Sequence, residues 1–263
     1  MQLGISTASF YPMETELALK KIVENKVSCT EIFYNADIEI NSIFTDYLLS
    51  ICKETGIKIS AVHPNLSFAE PYYVFERYMR RFDEAREHYR RIFENSAELG
   101  AKFVSMHGDR PTGKLPVEEY CERFSVLSQD AKEYGVVLCQ ENVNGYRSAD
   151  PEFLADMSNL LGSDANFTLD VKQCIRAGYS VEDIMNVMGN NIRHVHISDH
   201  SISSDCLLPK KGGFDFKNLF ATLKSKGYDG DFMIEVYENA YADISEIFDS
   251  YKTLKTDNIE FFG

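Results

Sequence analysis

Ile192–Arg193–His194–Val195–His196–Ile197–Ser198–Asp199–His200 is the stretch on which the reading of this chain turns. Ile192, Val195 and Ile197 are β-formers, and strand alternation places His194, His196 and Ser198 on one face with Val195 and Ile197 on the other. Imidazoles facing into a strand bundle need partners. His196, near the strand's C-terminal end, lies where a parallel barrel would open to solvent. Taken alone, the stretch also suits a pair of hydrogen-bonded core histidines, so the other strands must decide.

Working outward, short β-rich runs recur at Leu3–Thr7, Cys29–Phe33, Lys58–His63, Lys102–His107, Val136–Glu141, Asn166–Asp170 and Phe232–Tyr237, which with Ile192–Ser198 makes eight. Segments of helical period lie between them: Val117, Tyr120, Phe124, Leu127, Ala131 and Tyr134 step by three and four along one face. Phe82, Ala85, Tyr89, Ile92 and Phe93 do the same, as do Phe216, Leu219, Phe220 and Leu223. Ser180 with Asp183 reads as a capping-box start, and Gly100, Gly135 and Gly227 as helix stops. Alternating β and α units of this length imply parallel strands joined by helical crossovers. Eight of them, without a GxGxxG turn, predict a single (β/α)8 TIM barrel spanning 1–263. The loop Asp199–Phe214 is the longest candidate for an active-site cover.

In such a barrel one strand parity points to the axis and the other to the helices. The polar positions share one parity: Glu31 with Cys29, His63 with Ala61, His107 with Ser105, Glu141 with Cys139, Asp170 with Thr168, His196 with His194, and Glu235 with Met233. The opposite parity is apolar, with Val62, Val104, Leu138, Leu169, Val195, Ile197, Ile234 and Val236. Seven ionisable residues at seven C-terminal strand ends would converge on one mouth, where barrel active sites sit. Charges buried at this density need a metal or mutual pairing. Glu141, Asp170, His196 and Glu235 offer three carboxylates and one imidazole, a set suited to one divalent ion (Mn2+, Mg2+, Co2+ or Zn2+) and, lacking thiolates, not to a structural zinc site. Such an ion would act as a Lewis acid on a carbonyl whose neighbouring C–H loses a proton. Two glutamates on opposite sides of a bound sugar could then serve as base and acid.

Composition bounds the partners. The chain has 263 residues and 44% hydrophobic content, enough for one large core, and a barrel of this kind takes about 250 residues. A formal charge of −14 repels nucleic-acid phosphates and anionic membranes. The six cysteines lack CxxC spacing and suit reduced thiols in a cytoplasm. The first residues, MQLGISTASF, carry no signal-peptide pattern, and no apolar run approaches the ~20 residues of a membrane span. A cytoplasmic enzyme of a small molecule is expected, with no nucleic-acid or membrane partner. A homo-oligomer is compatible with this reading.

Several segments together resemble the xylose isomerase-like barrel superfamily, in its sugar phosphate isomerase/epimerase branch. They are Thr30-Glu-Ile-Phe33, Ala61-Val-His-Pro64, Leu99-Gly-Ala-Lys-Phe-Val-Ser-Met-His-Gly108, Gln140-Glu-Asn142, Leu169-Asp170, His194-Val-His-Ile-Ser-Asp199 and Gly227-Tyr-Asp-Gly-Asp-Phe-Met-Ile-Glu-Val236. The resemblance implies that Glu141, Asp170, His196 and Glu235 hold the metal. It also implies that Glu141 and Glu235 form the acid/base pair known in ketose 3-epimerases. It departs at Gln173, where the family often has a histidine; glutamine can bond a hydroxyl but cannot carry a proton. His63, His107 and Gln173 are expected to bind substrate, as is Lys211 of the Lys210-Lys-Gly-Gly213 loop, which with Arg110 could instead be a solvated loop charge.

The expected activity is a metal-dependent isomerisation or epimerisation of a ketose or related polyhydroxy ketone through an enediolate. A keto-cyclitol or keto-sugar dehydratase would use the same site and expel a β-hydroxyl instead of reprotonating. Endonuclease IV-like enzymes resemble the chain at Gln140–Gly145, Ala177–Tyr179 and His196–Asp199, and at His63 and His107, which match their extra zinc-binding positions. Against them stand Gln173, the absence of an Asp-x-His in 199–214, and the net charge. The arginines of 77–91 are interleaved with acids and read as a salt-bridged helix surface. A sugar-binding barrel without activity would be expected to lose a ligand, yet all four are present.

Overall fold

The computed structural model describes residues 1–53 and 55–262. Its strands are β1 (Leu3–Ser6), β2 (Cys29–Tyr34), β3 (Lys58–Pro64), β4 (Phe103–Met106), β5 (Val137–Glu141), β6 (Phe167–Asp170), β7 (Ile192–Ile197), a hairpin of β8 (Asp199–Ser201) with β9 (Ser204–Leu207), and β10 (Phe232–Ile234). Apart from the hairpin, they close into a parallel barrel in the order β1-β10-β7-β6-β5-β4-β3-β2. This is a TIM barrel, and each of its strands coincides with one of the eight runs legible from alternation, β2 and β3 extending one residue past theirs.

The crossovers are α1 (Thr15–Glu24), α2 (Ser42–Lys53), α3 (Glu70–Tyr73), α4 (Met79–Glu98), α5 (Val117–Glu133), α6 (Pro151–Leu161), α7 (Val171–Ala177), α8 (Val181–Met188), α9 (Phe216–Ser225), α10 (Ser245–Asp257) and α11 (Ile259–Phe262). Phe82, Ala85, Tyr89, Ile92 and Phe93 of α4 are buried, as are Tyr120, Phe124, Leu127 and Ala131 of α5. They pack against the outward parity of the strands, where Val62, Val104, Leu169, Val195, Ile197 and Ile234 are fully buried. Ser180 caps α8, its Oγ accepting the Asp183 N–H at 3.0 Å. The basic face of α4 is paired across helices rather than only along its own: Arg86 and Arg90 both reach the buried Asp130 of α5. None of the described helices is long and apolar enough to cross a membrane.

The barrel interior below the mouth is filled by small and polar side chains, including the buried pair Ser105 and Thr168, whose hydroxyls are 2.8 Å apart. Gly4 of β1 is part of this layer. A Cβ there would lie 2.4 Å from the Cys29 carbonyl oxygen and 2.7 Å from Met233 Sδ, so only glycine fits. At the opposite end Asp231 closes the ring, accepting from Gln2 N at 2.8 Å, Ser60 Oγ at 2.6 Å and Lys58 Nζ at 2.5 Å.

The 199–214 segment is not the open loop expected. It forms the β8–β9 hairpin and then a turn held by Asp199, whose buried carboxylate accepts the N–H groups of His200, Lys210, Gly212 and Phe214 at 2.8–3.0 Å. Four backbone donors on one carboxylate make a fixed rim instead of a loose cover. All six cysteines are buried free thiols.

Candidate active site

Glu141 ends β5, Asp170 ends β6, His196 lies in β7 and Glu235 immediately follows β10. These are four consecutive strands of the ring, so the side chains form one arc at the C-terminal rim. The register sets Asp170 beside His196, and His196 beside Met233. Around His196 Nδ1 stand Glu235 Oε2 at 2.8 Å, Glu141 Oε1 at 3.5 Å and Asp170 Oδ2 at 3.6 Å. His63 of β3 and His107 after β4 extend the arc. Their Nε2 atoms are 2.9 Å apart and lie 3.4 and 3.1 Å from Glu141 Oε2.

Behind the rim, Glu31 of β2 meets two histidines. Its Oε2 accepts from His194 Nε2 at 2.8 Å and His196 Nε2 at 3.0 Å, while Oε1 accepts from Ser6 Oγ at 2.9 Å. The carboxylate therefore fixes which His196 nitrogen faces the cavity: Nε2 donates backward and Nδ1 points to the three acids.

Burial and charge pull in opposite directions throughout. Burial would raise the Glu31 carboxyl, but His196 and His194 hold it well below the usual range. Glu141 is likewise held low by His63 and His107 despite burial. Glu235 is brought down to about 2, where His196 and Lys172 outweigh its burial. Asp170 is raised, because burial there exceeds the pull of Lys172 and His196. Against its own burial, His196 is pushed well above its ordinary value by Glu235 and Glu31. His63 falls to about 4 through burial and is neutral at pH 7, whereas His107 is raised by Glu141 despite burial.

The donors suit a divalent cation. Glu141, Asp170 and His196 present ligand atoms within 4.8 Å of one another. His196 Nδ1, Glu141 Oε2 and Glu235 Oε2 are buried without a hydrogen-bond partner among the described residues. Metal–ligand bonds of about 2.1 Å put neighbouring donors about 3.0–3.4 Å apart, close to the spacings around His196 Nδ1.

Other expected residues lie elsewhere. Gln173 borders the site: its N–H donates to Asp170 Oδ1 at 3.0 Å and its Oε1 accepts from Asn144 N at 3.2 Å. Lys211 is not brought into the cluster; its side chain is 59% exposed and its Nζ lies 3.9 Å from Glu246 Oε2. The Asp199 anchor, which accepts the N–H groups of Lys210 and Gly212 on either side of it, holds its loop there. Lys172 is the residue the sequence did not single out. It is fully buried, and its Nζ donates to Asp170 Oδ2 and to Glu235 Oε1, the latter at 3.1 Å. Its one signal was its place two residues after an inward-facing aspartate.

A family model described as xylose isomerase-like TIM barrel matches residues 21–254. An uncharacterised protein of Methanocaldococcus jannaschii is 25% identical over 258 residues, covering 90% of this chain and 88% of its own length. Among solved structures, a D-tagatose 3-epimerase-like protein superposes with a TM-score of 0.75 at 22% identity, covering 99% of this chain and 97% of its own. The IolI protein with a bound zinc atom superposes over the whole of both chains with a TM-score of 0.79 at 18% identity.

Proposed function

This chain belongs to the xylose isomerase-like TIM barrel family, and on that premise we propose that it is a divalent-metal-dependent isomerase or epimerase of a ketose or related polyhydroxy ketone. The observation that carries the reading is the arc itself. Glu141 and Glu235 stand at its two ends, with Asp170 and His196 between them, and all four reach into one buried space.

Glu141, Asp170, His196 and Glu235 would hold the ion, which when bound supplies Lewis acidity to a carbonyl beside the C–H being broken. The chain's own groups do the rest. Glu141 and Glu235 face the space from different strands, so one can take a proton from one side of a substrate while the other returns it from the second. Glu235 is a weak base while His196 carries two protons. It becomes stronger when Nδ1 has lost its proton, because the imidazolium is then no longer holding the carboxylate down. His63, neutral at pH 7, and His107 can bond substrate hydroxyls at the Glu141 end. Gln173 can offer an amide at the Asp170 side.

A second reading has its own observation: His63, His107 and Glu141 form another group able to hold a metal. Filled together with the first site, it would favour endonuclease-like chemistry, against which the charge of −14 weighs. Elemental analysis decides, since one ion per chain supports sugar chemistry and two or three support the nuclease. For the sugar reaction, the protein is incubated with a panel of free ketoses, D-tagatose included, in D2O. Glu141→Gln and Glu235→Gln should each abolish deuterium incorporation; exchange at the wild-type rate in both variants removes the acid/base assignment.

A further inference from the structure

A lysine sits inside the carboxylate arc. Lys172 of α7 is 1% exposed, and its ammonium donates to Asp170 and Glu235 and lies 5.3 Å from the centroid of the Tyr237 ring. Burying an ammonium costs several kcal/mol unless anions and hydrogen bonds compensate it. The two carboxylates provide that compensation, and they are two of the four side chains assigned above to the metal.

Their remaining capacity can be counted atom by atom. Asp170 Oδ1 accepts the Gln173 N–H at 3.0 Å and Oδ2 accepts from Lys172, so each oxygen already carries one donor and keeps one lone-pair site. Glu235 Oε1 is engaged by Lys172, which leaves Oε2, 2.8 Å from His196 Nδ1. With the lysine in place, the uncommitted donors are Glu141, His196 and one oxygen of Glu235. Two of the four proposed ligands thus share their carboxylates with a positive charge.

We propose that the Lys172 ammonium is the resident cation of this site and competes with a divalent metal for Asp170 and Glu235. Loading the metal weakens the hold of Lys172 on Asp170 and Glu235. The lysine keeps the acids balanced in the metal-free protein and makes metal binding weaker than the four ligands alone would give, since a charge at hydrogen-bond distance opposes a second cation strongly in a buried site. This inference rests on the metal-binding reading above.

The test compares wild-type protein with Lys172→Met by equilibrium dialysis against Zn2+ and Mn2+, and by thermal melting with and without each ion. Lys172→Met should bind metal at least tenfold more tightly. It should melt below the wild type without metal and gain more on its addition, because ligand binding to the folded state raises stability with [L]/Kd. Equal or weaker affinity in Lys172→Met, with metal uptake by the wild type, overturns the competition and leaves the metal-dependent reading standing. No uptake by either protein overturns both. If Lys172→Met does not fold, Lys172→Gln carries the same comparison, and Lys172→Arg, which keeps the cation, should stay within threefold of wild-type affinity. Tightening in Lys172→Arg equal to that in the neutral variant also overturns the proposal.

Discussion

Glu31→Gln separates charge from shape at the inner wall of the site. The carboxylate accepts three bonds, from Ser6, His194 and His196, at 2.8–3.0 Å, and all four residues are fully buried. An amide of the same size can keep its oxygen at the Oε2 position, where both imidazole N–H groups donate, and turn its NH2 to the Ser6 hydroxyl, which can accept, so the shape is kept and the charge is lost. Hydrogen bonds to a charged group contribute about 1.5–3 kcal/mol and neutral ones about 1. Weakening both imidazole bonds from charged to neutral therefore costs about 1–4 kcal/mol, towards the lower end because the amide is easier to bury. The pH dependence has a definite sign. The Glu31 carboxyl is held well below its ordinary 4.5, so its stabilisation is fully present above that value and fades as pH falls through the depressed native one. Urea melts should show the largest gap between wild type and variant at pH 7 and a smaller one near pH 3. Because Glu31 orients His196 from behind, metal uptake by the variant should weaken by about 10–100-fold. A variant with wild-type stability at both pH values and unchanged metal uptake would refute the reasoning.

Gly4→Ala should cost about 1–3 kcal/mol, since its Cβ meets a backbone carbonyl that cannot step aside; an unchanged melting temperature contradicts this. Asp199→Ala strands four backbone N–H groups and should make 199–214 the first site of limited proteolysis, with cleavage elsewhere first counting against the anchor. Asp109 is pushed up to about 6 by burial, so its contribution is complete below its unfolded value of 3.8 and is lost as pH rises through 6. Asp109→Asn should accordingly gain on the wild type between pH 4 and pH 7, by at most about 3 kcal/mol, and a constant difference in melting temperature over that range would sink the argument.

Much of this molecule was written in local pattern. Period-2 alternation separated Val62, Val104, Leu169 and Val195 from His63, Ser105, Asp170 and His196, and a closed parallel barrel has only two places for those faces, under the helices or on the axis. That sufficed to gather Glu141, Asp170, His196 and Glu235 from segments nearly a hundred residues apart. Alternation stops where the strand stops, and there the sequence alone was silent. Lys172 lies two residues beyond that limit, at the start of a helix where lysines are usually solvated, and only the turn out of β6 directs it back between Asp170 and Glu235. Lys211 illustrates the reverse, a basic loop residue next to glycines that the Asp199 anchor faces away from the cluster. Glu31 was legible as an inward acid, but its partners depended on which strands meet across the barrel, a matter of closure rather than of neighbours in the chain. Composition and periodicity determined which residues face the axis; the partners of each buried charge were decided by distances across the barrel that no local pattern encodes.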